Sequence, residues 1–286
     1  MSSYMSTVDI DLAEEISKRD REFGRLRIGA PFYRLDTAEC RARVEELCPR
    51  IATNLGVEYE HDQFIKRIKV YSFANPKEVI VESLGKEDTL FPVMWASAIG
   101  YMEPKLLSDP FLAAIVALGA TGAVLNAFAV SRFVAHSNML TGDIKIPTTP
   151  VCKNKYEFDY VATHEITHGL LVPKSFGSRL KSVVKRSQSD KRKSEGTADA
   201  SACLMMDILY EETDDVYYRR EKVKEEHQRL TGAMRYSGMR RYFAKLSLIG
   251  SNLAHYEGFA KTVELQNKHG NSALQRIVQG EFDDQF

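Results

Sequence analysis

The stretch FDYVATHEITHGLLVP, residues 158–173, sets His164 and His168 four residues apart, with Glu165 directly after the first histidine. On a helix the two imidazoles stand one turn apart on the same face, and both reach a single ion. Glu165 is then placed to take a proton from water held by that ion. The flanking residues suit a half-buried helix: Tyr160, Val161, Ile166, Leu170 and Leu171 are apolar, and Pro173 limits it on the C-terminal side. Two histidines do not complete a hydrolytic centre, which needs a third protein ligand and a position left open for water.

No histidine occurs between Leu171 and Arg179, so the third ligand is not a closely spaced one. Downstream, KRKSEGTADASACLMMDIL places Glu195 27 residues after His168 (195 − 168), far enough for the chain to turn and begin a second helix. Asp199 lies four residues further on and shares a helical face with Glu195. A ligating histidine normally gives its other ring N–H to a carboxylate, so Glu195 as ligand leaves Asp199 to orient His164. The alternative ligand is Glu257, in SNLAHYEGFAKTVELQ at 251–266. It lies 89 residues after His168 (257 − 168), and its i+4 neighbour is Lys261 rather than a carboxylate. Glu195 is the preferred ligand.

His164-Glu165-x-x-His168 followed by Glu195-x-x-x-Asp199 resembles the gluzincin zinc metallopeptidases, whose familiar representative is thermolysin. The match spans about 36 residues, 164–199. A weaker likeness, LNAFAV at 125–130 leading through a strand to the motif, is to the HtpX-like and CAAX-prenyl-endopeptidase branch. The resemblance implies an α+β fold with a zincin-like metallopeptidase core and a mostly helical C-terminal half. It implies Zn²⁺ held by His164, His168 and Glu195, and Glu165 as general base in the hydrolysis of a protein or peptide substrate. It also implies an oxyanion donor beyond the third ligand, for which His255 and Tyr256 are the local choices. Many gluzincins carry their ligand glutamate in a Glu-Gly-Phe-Ala setting, which is what keeps Glu257 in view.

The elements that must position these groups are legible in outline. Residues 8–23 and 36–55 read as helices, the second with Asp36 or Thr37 as N-cap and with Cys40 and Cys48 turned inward. FIKRIKVYSF and EVIVESL, within 64–83, read as two strands of a hairpin. A mostly helical segment runs to about residue 130, then a strand ends at Pro147 ahead of the motif, and from about 195 the chain reads as helical. This divides the chain into an N-terminal α+β region of unknown role, 1–103, and a zincin-like metallopeptidase region, 104–286, with a single domain as the alternative. The segment 174–193 between the two ligand helices has eight Lys/Arg and one acid, Asp190, and reads as a solvated, mobile loop. Its functional readings are a docking surface for acidic segments, a nuclear address, nucleic-acid contact or a lid over the cleft.

Composition restricts the classes. Lysine plus arginine balances aspartate plus glutamate at 39 each, so no global field points to nucleic acid. The N-terminus lacks a basic stretch followed by an apolar run, and the four cysteines form no CxxC, so an intracellular, cytoplasmic protein with reduced thiols is expected. The uncharged run 111–130 is about long enough to span a bilayer, but Gly119, Thr121, Gly122 and Asn126 dilute it, and a buried helix is preferred. Two other functions stay open: a non-catalytic binding protein with a structural zinc site, and a membrane-associated peptidase anchored by 111–130.

Overall fold

The computed structural model describes residues 11–26, 35–71, 136–137, 141–148, 152–173, 175–185, 187–235 and 251–286. Its elements in order are α1 (Leu12–Arg25), α2 (Thr37–Leu55), α3 (His61–Ile65), β1 (Ile68–Tyr71), β2 (His136–Ser137) and β3 (Ile144–Pro147). Then follow α4 (Lys155–Leu171), α5 (Phe176–Lys185), α6 (Gln188–Thr213), α7 (Val216–Arg235), α8 (Ser251–His269) and α9 (Ala273–Val278). The fold is mostly helical with one small sheet, which agrees with an α+β class. The second hairpin segment EVIVESL, the apolar run 111–130 and LNAFAV all lie outside the described residues. Among the described residues no helix is long and apolar enough to cross a membrane.

The sheet corrects one sequence expectation. Phe64 and Ile65 belong to α3, not to a strand, and β1 starts only at Ile68. Its described partner is β3, which it meets in parallel with Ile68 opposite Ile144 and Tyr71 opposite Pro147. β3 is central, with β2 antiparallel on its other edge through His136 opposite Lys145. Ile144 and Ile146 are fully buried, and α4 packs on them at Gly169, where an added methyl would overlap the Ile144 side chain.

The motif helix is buried on nearly all sides, not on half. Phe158, Ala162 and Ile166 are buried, and so are the polar Asp159, Thr163 and Thr167. Thr163 and Thr167 survive there because their hydroxyls donate to the carbonyls one turn back, Asp159 O at 2.7 Å and Thr163 O at 2.8 Å. Asp159 accepts from Arg43 of α2 (2.9 Å) and from Tyr218 of α7 (2.9 Å), which joins the N-terminal helix to the motif helix. One apolar cluster runs from Cys40 and Leu47 through Ile144 and Ile166 to Met206 and Leu274. The described parts of 1–103 and 104–286 therefore share a core. α1 differs: it buries no residue and lies on α7 through ion pairs such as Arg19–Glu226 at 3.2 Å and Arg219–Glu22 at 2.5 Å.

The segment 174–193 is not a loop. Residues 176–185 form α5, and α6 begins at Gln188 behind a capping box in which Ser187 and Asp190 satisfy each other's backbone N–H.

Two Glu-Gly-x-Ala stretches, Glu195–Ala198 on α6 and Glu257–Ala260 on α8, cross at their glycines. A Cβ at Gly196 would overlap the Gly258 carbonyl, and one at Gly258 would overlap the Arg192 carbonyl, so backbone meets backbone. Alanine at Gly258 should therefore destabilise the protein by about 1–3 kcal/mol, because a helix backbone gives way less easily than a side chain. At Gly177 of α5, where an added methyl meets nothing within 4 Å, alanine should be neutral or stabilise by up to about 1 kcal/mol. Urea denaturation measures both. A Gly258→Ala protein as stable as the wild type would contradict the close crossing.

Candidate metal centre

Four helices converge on the centre. α4 starts cleanly because Asn154 Oδ1 accepts from the Tyr156 and Glu157 amides, and it carries His164 and His168 one turn apart. α6 carries Glu195 and Asp199 one turn apart, with Ala198, Ala200 and Ala202 small enough for close packing. α8 brings His255 across the glycine crossing, three residues before Gly258. α7 contributes Arg229.

Three donor atoms form a tight triangle. His168 Nε2 lies 2.9 Å from Glu195 Oε2 and 3.1 Å from His164 Nε2, and His164 Nε2 lies 3.5 Å from Glu195 Oε2. Ligands on a tetrahedral zinc ion are separated by about 3.3 Å, given bonds of about 2.0–2.1 Å. His255 also reaches in, its Nε2 3.3 Å from Glu195 Oε2. His164, Glu195 and His255 each offer a ligand atom within 4.8 Å of the others, a group that could hold a metal ion. The two triples share His164 and Glu195. In the one completed by His168 every separation is 3.5 Å or less, and the one completed by His255 spans three helices instead of two.

Each imidazole has its Nδ1 engaged, which turns its Nε2 toward the others. His168 Nδ1 meets Ser194 Oγ at 3.0 Å, and His255 Nδ1 meets Asp199 Oδ2 at 3.2 Å. His164 Nδ1 lies 2.9 Å from Asp199 Oδ1, an ion-pair contact whose alignment falls short of a hydrogen bond. Asp199 thus backs two histidines at once. It is fully buried and also accepts from Arg229 Nε (2.9 Å), Arg229 Nη2 (3.2 Å) and the Tyr160 hydroxyl (3.2 Å).

Burial opposes charge throughout this site, and the neighbours decide the outcome. It would push Asp199 up, but Arg229 and His164 hold its carboxyl well below the usual carboxylate range. Glu195 is likewise held well below that range, by His168 and His255 against burial. Burial disfavours the His164 imidazolium, yet Asp199 and Glu195 raise its pKa to about 10. Glu165 goes the other way: burial raises its pKa, with His164 and His168 only partly opposing. Its Oε2 is buried and has no hydrogen-bond partner among the described residues.

No family model, no curated protein and no solved structure matches this chain.

The site must accordingly be read from its own geometry. The structure brings His164, His168, Glu195, Asp199 and His255 together, with Glu165 buried beside them. It places the other two sequence candidates elsewhere. Glu257 Oε2 pairs with Arg192 Nη1 at 3.3 Å on the far side of the glycine crossing. Tyr256 lies about 100° further round α8 than His255 and lays its ring over Gly232 of α7. Sequence reading did not find Arg229, Tyr160 or Ser194. Ser194 adjoins Glu195, but no spacing rule links Arg229 to Asp199, 30 residues away. The four cysteines are buried and free, with burial pushing the Cys40 and Cys48 thiols up to about 12, and none joins the cluster.

A metal fits this donor set. Two imidazoles, each braced from behind, and a carboxylate at tetrahedral-edge separations are borderline ligands of the kind zinc takes. In the metal-free protein a proton on His164 stands in for part of the ion's charge. Its folded pKa, about 10, exceeds the ordinary 6.5, so it stabilises the fold below pH 6.5 and that stability is lost as pH rises through 10. Chelator-treated protein should therefore lose stability between pH 6.5 and 10 in thermal melts, whereas metal-loaded protein, in which the ion replaces the proton, should not. Identical pH profiles with and without metal would contradict this site.

Proposed function

We propose that the chain is a zinc-dependent hydrolase of amide bonds in protein or peptide substrates, built on a gluzincin-like site. The observation that carries this reading is Glu165, a buried carboxylate whose Oε2 has no partner among the described residues, next to two histidines and a glutamate whose donor atoms converge. A structural metal clip has no use for such a group, whereas a hydrolase needs a base there.

His164, His168 and Glu195 would hold the ion, braced by Asp199 and Ser194. A bound zinc ion lowers the pKa of water and polarises a carbonyl oxygen. Glu165 accepts the proton of the attacking water at Oε2, and burial, by raising its pKa, keeps the carboxyl basic enough to hold that proton. The same carboxyl then delivers the proton to the leaving amine nitrogen. Asp199 keeps His164 in the Nε2-ligating orientation, and Arg229 keeps Asp199 ionised. As an imidazolium, His255 donates from Nδ1 to Asp199 and from Nε2 to the oxygen that gains charge as the carbonyl is attacked.

One observation favours a second reading. As a neutral ring with its Nδ1–H on Asp199, His255 offers a lone pair at Nε2, 3.3 Å from Glu195 Oε2. Four protein ligands would close the coordination sphere and make the site structural, in a protein that works by binding.

Replacing Glu165 by Gln separates the two. The hydrolase reading expects it to keep the metal while turnover of an unstructured protein substrate drops about 10²–10⁴-fold, and expects His168→Ala to lose both. A Glu165→Gln protein with full hydrolysis would sink the mechanism. Loss of metal on His255→Ala, in a protein without hydrolysis, would establish the structural site.

A further inference from the structure

Between the helix carrying His164 and His168 and the one carrying Glu195 lies α5, whose described apolar side chains face solvent. Phe176 and Leu180 stand one turn apart on one face and are 63% and 45% exposed. Only one other large apolar side chain, Met234, is comparably exposed among the described residues. Space is open around Gly177 as well, where a Cβ would meet nothing within 4 Å.

The sequence around α5 is rich in basic residues. Residues 174–193 hold eight of the chain's 39 Lys/Arg against one acid, although the whole chain has a net charge of zero. Lys181, next to Leu180, and Lys191, at the start of α6, are exposed. Not every cation is available: Arg179 fixes α5 in place by donating to Pro173 O at 2.8 Å and Thr141 O at 2.5 Å, Arg192 pairs with Glu257, and Lys193 pairs with Asp283. The Ser175 hydroxyl accepts from the Ser178 amide at 3.2 Å, and the Ser187–Asp190 box starts α6. The first turn of α5 is therefore tied to the chain before it.

We propose that α5 docks the protein on an anionic lipid surface, with Phe176 and Leu180 entering the acyl boundary and Lys181 at the headgroups. A helix lying in the membrane interface needs both a basic face and bulky apolar residues, and α5 combines them. Nucleic acid would match the charge but offers no apolar layer to cover Leu180, and only Phe176 could stack on a base. Docking would hold the metal centre beside the membrane, since Pro173, to which Arg179 is tied, is five residues past His168. Membrane docking through α5 would be independent of metal binding.

The test is cosedimentation of the full chain with phosphatidylcholine vesicles, with and without phosphatidylserine. The protein should pellet with the phosphatidylserine vesicles, and less so at high salt. Phe176→Ser with Leu180→Ser should weaken that binding by about tenfold or more, as expected for two partly buried apolar side chains. Lys181→Glu should weaken it about fivefold or more, from the energy of one cation near a charged bilayer. Circular dichroism should be unchanged, because the replaced side chains are exposed. The proposal is overturned if the wild type stays in solution, pellets equally with neutral vesicles, or binds as tightly with Phe176 and Leu180 replaced. Retention on DNA or on an acidic polypeptide without vesicle binding overturns it too.

Discussion

The carboxylate of Asp199 is shut off from water where four helices meet, and the centre is organised around it. An ionised group in such a place is costly unless donors surround it, and breaking one of its pairs costs about 3–5 kcal/mol. Asp199 draws on Tyr160 and His164 of α4, Arg229 of α7 and His255 of α8. Each of these groups is thereby tied to α6, and α6 also carries Glu195. The same contacts that make the buried charge tolerable turn two ring nitrogens, His164 Nε2 and His255 Nε2, toward the Glu195 carboxylate, while Ser194 does so for His168. Arg229, bidentate on Asp199, keeps that carboxylate negative while it serves two histidines.

Sterics supply what electrostatics alone does not. The Gly196–Gly258 crossing lets α6 and α8 approach until backbone touches backbone, which is how His255 comes within reach of Glu195. The repeated Glu-Gly-x-Ala pattern therefore has a packing reason on both helices: the glycines cross, Glu195 turns toward the histidines, and Glu257 turns to Arg192. Against this background of paired groups, the unpartnered Oε2 of Glu165 stands out, since a buried carboxylate oxygen rarely goes unsatisfied without a functional reason.

Much of this was legible because it depends on helical spacing. The i, i+4 pairs His164–His168 and Glu195–Asp199 follow from 3.6 residues per turn, and the cap at Asp36 follows from its side chain. What depends on distant partners was not. β1 pairs with β3 across more than seventy residues, a partnership that no local apolar run signals. The motif helix is enclosed because α2, α6, α7 and β3 surround it, and its own polar residues disguise that. The segment 174–193 was read by its charge, although Phe176, Leu180, Val183 and Val184 already had helical periodicity. Arg229 had no local signal, because only the packing of α7 brings it to Asp199.

The most direct test of the account is the metal content of the purified protein by elemental analysis, beside Glu195→Ala and Glu257→Ala variants. The account predicts about one zinc per chain, lost on replacing Glu195 and retained on replacing Glu257. A wild-type protein that takes up no zinc at neutral pH, or loses it only with Glu257, would contradict it.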